Sequence, residues 1–99
     1  MIVVVGKAQV KVEAREEAVA ACLKMSRLSE AESGCISYQF YESLAEPNTF
    51  FLFEEWKTAD ALQTHLQQPH TIQFGSQLAN VLAGPMAVKR YEIMAVSDM

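Results

Sequence analysis

The sequence predicts an α+β fold in which one antiparallel four-stranded sheet carries its helices on one face. Three features predict it. The segments CISYQFYE and TFFLFEEW are rich in aromatic and β-branched residues and flank the turn-prone SLAEPN, which reads as a hairpin. The first segment, Met1 to Lys11, is β-branched. Between the strands, apolar residues recur at helical spacing.

Taken in order, Met1 to Lys11 is a first strand, ending with Ala8 and Val10 alternating against Lys7, Gln9 and Lys11. From about Ala14 to Ser33, Ala18, Ala21, Cys22, Met25 and Leu28 repeat as one helical face, and Gly34 supplies a stop. Cys35 to Glu42 and Thr49 to Trp56 are the hairpin strands. Thr58 suits an N-cap for a helix through Gln68, with Asp60 near its positive end. Pro69 cannot continue that helix but can begin another, running to about Ala83 before Gly84–Pro85. Met86 to Val96 is the last strand. The order β-α-β-β-α-α-β is the split-βαβ, ferredoxin-like arrangement.

With 99 residues, 51% hydrophobic and 20% charged, the chain is expected to form one domain, residues 1–99. Neither IVVV nor TFFLF alternates as a half-solvated strand would, so both sheet faces call for burial while helices cover only one. A homodimer packed sheet against sheet is the expected solution.

The net charge of −4 and the scattered basic residues argue against nucleic acid as a partner. No apolar run approaches the roughly 20 residues of a membrane span. MIVVVGKAQVK lacks a basic leader and a small-residue cleavage site, so a cytoplasmic location is expected. Cys22 and Cys35 are then expected to be reduced, packed thiols.

Candidate chemistry concentrates in FEEWKTADALQTHLQQPHTIQF, which holds Trp56, His65 and His70. The two histidines stand five apart across Pro69, off the i, i+4 spacing of a helical metal pair, so they are expected to point apart; no metal is expected. No nucleophile elbow, dinucleotide fingerprint or phosphate loop is present, and no cofactor is indicated. The remaining reading is an aromatic cavity between sheet and helices, with Tyr38, Tyr41, Phe53, Trp56 and Phe74 as lining and His65 as its polar group. The Trp56 indole is expected to meet ligand or solvent, and His70 to serve its helix turn. Arg90 is expected to pair with Glu55, Glu92 or a partner subunit, the sharper alternative being a ligand oxyanion.

ESGCISYQFYES, PNTFFLFEEWKTADALQTHLQQPHTIQF and LAGP, with their E-x-G-C, E-x-W and H-x-x-x-P-H spacing, resemble the antibiotic biosynthesis monooxygenase domain family over nearly the whole chain. The resemblance implies a dimeric α+β barrel. The quinol monooxygenase branch is most similar, through the run from Trp56 to His65 and His70. It implies oxidation of a small aromatic quinol, or a related electron-rich ring, by O2 without metal or flavin, with His65 as the base. The ring-oxygenase branch has an asparagine and a tyrosine where this sequence has Leu52 and Leu62, so only Trp56 carries over. The positions matching the asparagine, tryptophan and iron-ligating histidine of the haem-degrading branch are Gly6 or Lys7, His65 and Gly75, which disfavours that chemistry. Two alternatives are an isomerase or degradative enzyme for a small oxygenated metabolite, using His65, Tyr41 and Arg90, and a non-catalytic ligand-binding dimer module. A pocket collapsed around Trp56 and the phenylalanines would favour the last.

Overall fold

A computed structural model describes residues 1–99. The strands are β1 (Ile2–Gln9), β2 (Cys35–Glu42), β3 (Thr49–Trp56) and β4 (Ala87–Glu92). The helices are α1 (Arg15–Glu30), α2 (Ala59–Leu66) and α3 (Pro69–Val81), with a short 3-10 turn at Val12–Ala14. The sheet order is β2-β3-β1-β4, antiparallel throughout, as the ferredoxin-like reading requires. The hairpin strands begin and end where the sequence places them. The first and last strands are shorter than expected, because Val10 forms only an isolated bridge to Leu82 and the chain leaves the ladder after Glu92.

Local chemistry sets the helix ends. The Thr58 hydroxyl accepts the Ala61 N–H at 3.1 Å, a cap that contributes about 1 kcal/mol. Pro69 occupies the first turn of α3, where no N–H is required. After α1 the chain turns through Glu32 to Gly34, whose φ of 84° a side chain resists. A Cβ on Gly34 would also lie 2.6 Å from the Ala61 Cβ, so the turn seats directly on α2.

Strand alternation then sorts the two faces. Toward the helices point Ile2, Val4, Leu52, Trp56 and Tyr38, which pack with Ala21, Cys22 and Met25 of α1, Leu62 of α2 and Phe74 of α3. The opposite face carries Val3, Val5, Phe51, Phe53, Tyr41 and Tyr91 with no helix over it. Phe53 is 38%, Tyr91 46% and Tyr41 57% exposed. The failure of TFFLF to alternate thus has a plain meaning: Phe50 and Leu52 serve one face, Phe51 and Phe53 the other. β4 is exposed along its whole length.

Candidate functional site

Four segments converge on a buried polar cluster. The turn after α1 delivers Glu32, the last turn of α2 His65, the first turn of α3 His70, and β3 Glu54 beside Trp56. His65 Nδ1 lies 2.6 Å from Glu32 Oε2, and His70 Nε2 lies 2.8 Å from the same oxygen. His65 is 2% exposed. Its backbone carbonyl accepts the Thr71 hydroxyl at 2.7 Å, which ties α2 to α3 across the Pro69 corner.

The histidines therefore do not point apart. Pro69 ends one helix and starts another at a new angle, and that break aims both rings at one carboxylate. The donor atoms of Glu32, His65 and His70 lie within 4.8 Å of one another, a set that could in principle hold a cation. The 2.6 and 2.8 Å separations are also hydrogen-bond distances, with the tautomer of each ring deciding which atom donates.

Rings continue outward from this cluster. His65 meets Trp56 at 4.6 Å and Tyr38 at 5.4 Å between ring centres, both in tilted contacts. Tyr38 meets Phe40 edge-on at 5.8 Å, and Phe40 meets Phe74 at 5.7 Å. Phe40, with Cys22, Leu52 and Met86, lines an apolar cavity of about 20 Å³. A neighbouring groove of about 130 Å³ between α1 and the hairpin shares Cys22, Phe40 and Phe50. The inner cavity has room for one or two waters and not for an aromatic ring.

Trp56 is fully buried, and its indole N–H donates to Glu54 Oε1 at 2.9 Å instead of meeting solvent. Burial pushes the Glu54 carboxyl up to about 7; the indole hydrogen bond opposes this, and the charge of Glu32 adds to it. Tyr38 is raised well above the ordinary phenol range by burial and then by Glu54. Burial holds both thiols up, at about 11, so Cys22 and Cys35 are poor nucleophiles.

Of the residues singled out by sequence, Tyr38, Trp56, His65 and Phe74 come together in the sheet–helix layer. Tyr41 and Phe53 do not: each is one residue out of phase with an inward neighbour, Phe40 or Leu52, and so lies on the opposite face. Arg90 stands opposite Val4 on exposed β4 and pairs with neither Glu55 nor Glu92. Glu55 instead accepts the Ser37 hydroxyl at 2.7 Å. Sequence reasoning missed Glu32 and Glu54 as site residues, although strand alternation already puts Glu54 beside Trp56.

A family model described as antibiotic biosynthesis monooxygenase matches residues 1–76. Among similar proteins is sll1783 of Synechocystis sp., itself uncharacterised, 40% identical over 93% of this chain and 63% of that one. This chain thus spans less than two thirds of that relative's length. YcnE of Bacillus subtilis, provisionally named a monooxygenase, is 33% identical over 94% of this chain and 98% of its own. Rv0793 of Mycobacterium tuberculosis has a solved structure that matches with a TM-score of 0.90 at 28% identity, covering 98% of both chains.

Proposed function

The chain belongs to the antibiotic biosynthesis monooxygenase family, and from that premise we propose that it oxidises a small aromatic quinol, or a similar electron-rich ring, with O2 and no cofactor. The observation that carries this reading is the unbroken row of rings from the Phe40-lined groove to the buried imidazole of His65. In this mechanism His65 takes the quinol proton, the anion passes an electron to O2, and the two radicals combine on the ring. One oxygen atom stays on the product and the other leaves as water, both electron pairs coming from the quinol. The protein's own part is to exclude water, orient the ring and stabilise the anion. Trp56, Tyr38 and Phe74 are the proposed walls. Because the inner cavity is small, ring entry requires Phe40, Phe50 and Met86 to move aside.

The test is oxygen uptake with a naphthoquinol at neutral pH. His65→Ala is expected to lose on the order of 100-fold in kcat. A panel of quinols consumed no faster than by autoxidation would sink the proposal. The tight packing around Trp56 favours a second reading, a non-catalytic binding module, for which ligand uptake without turnover would be the supporting result. An isomerase is less well served, because Tyr41 and Arg90 stand apart from His65.

We further propose that residues 1–99 act as one domain in a cytoplasmic homodimer. The uncovered apolar sheet face supports the dimer, and the free thiols of Cys22 and Cys35 suit a reducing compartment.

A further inference from the structure

We infer that Glu32 is the positioning residue of the site, a carboxylate that locks His65 into one tautomer by bridging it to His70. The inference rests on the proposed oxygenase reading for its catalytic meaning, but its geometry stands alone. A carboxylate offers only acceptors, so both nitrogens facing Glu32 Oε2 must carry their hydrogens toward it. In neutral His65 the proton is then on Nδ1 and the lone pair on Nε2.

Nε2 makes no hydrogen bond within the protein. It is the free end of an otherwise clamped ring. Trp56 at 4.6 Å and Tyr38 at 5.4 Å hold the imidazole against rotation, and Thr71 Oγ1 lies 3.4 Å from Nδ1. When Nε2 takes a proton, the new positive charge faces Glu32 through a hydrogen bond already made, the logic of a carboxylate behind a catalytic imidazole. His70 holds the carboxylate from its other side. Its partly exposed ring closes the cluster toward solvent, with 17% of its side chain accessible against 3% for His65.

The experiment is nitrogen NMR of the imidazole rings, assigned with a His70→Gln variant because the chain has only two histidines. Wild-type His65 is expected to show a protonated Nδ1 and a bare Nε2. Glu32→Ala, which removes the acceptor, is expected to shift the ring toward the Nε2-protonated form and to lower quinol kcat on the order of 100-fold, with KM changed little. Glu32→Asp should recover part of that loss. A wild-type ring protonated on Nε2, or a tautomer unmoved by Glu32→Ala, overturns the inference whether or not any quinol is oxidised. So does stoichiometric uptake of Zn²⁺ or Fe²⁺ with displacement of both ring protons, which would make Glu32 a ligand. The expected tautomer together with inert quinols removes the oxygenase reading and leaves the lock in place.

Discussion

Glu54 shows how a single buried carboxyl ties this site to stability. Its pKa rises from 4.5 to about 7 on folding, so between those values the native chain holds a proton that the unfolded chain has released. Stability contributed by that proton is complete below pH 4.5, falls as pH rises toward 7 and is absent above it. A shift of this size corresponds to about 3–4 kcal/mol at about 1.4 kcal/mol for each pH unit. Glu54→Gln keeps an acceptor for the Trp56 N–H and carries no charge to desolvate. Urea unfolding at pH 5 and pH 8 should show wild type losing stability between the two and the variant losing far less. Parallel pH profiles for the two proteins would contradict this account. The groups that face Glu54 are Trp56, Tyr38 and Glu32.

Among the elements, the turn at Glu32–Gly34 matters most, because it aims a carboxylate at two helices. Gly34→Ala must adopt a positive φ, at about 1–2 kcal/mol, and push its methyl into Ala61. A loss of about 3 kcal/mol is expected, and pairing it with Ala61→Gly should recover the steric part while leaving the backbone part. With Ala61→Gly alone as the control for its own helix cost of about 1 kcal/mol, a coupling of zero between the two changes would show that Ala61 is not the obstacle. Most of this frame was legible in the sequence: strand composition bounded β2 and β3, Thr58 and Pro69 marked two helix starts, and Gly34 marked the turn. The site was less so. Glu32 lies 33 and 38 positions from the histidines it joins, and no local pattern reports a contact across that distance. Reading His65 and His70 against one helical period also misjudged them, since Pro69 puts them on different helices.

At the scale of the whole molecule, the unpaired sheet face is the strongest guide to assembly. Phe51, Phe53, Tyr41 and Tyr91 form an apolar surface that a second copy could cover, stabilising the pair by about 25 cal/mol for each Å² of apolar area removed from water. Sedimentation at micromolar concentration should report a dimer, and Phe53→Lys should shift it toward monomer without unfolding it. A wild-type monomer at that concentration would refute the sheet-to-sheet arrangement. The exposed strand β4 bears on the same question differently. A free edge can recruit strand after strand without limit, but this one carries Lys89, Arg90 and Glu92, charges that discourage such pairing. A face can be covered only once, so association through it closes at two chains. The charged β4 edge thus works against open-ended pairing along that side of the sheet and leaves the apolar face as the favoured route of association.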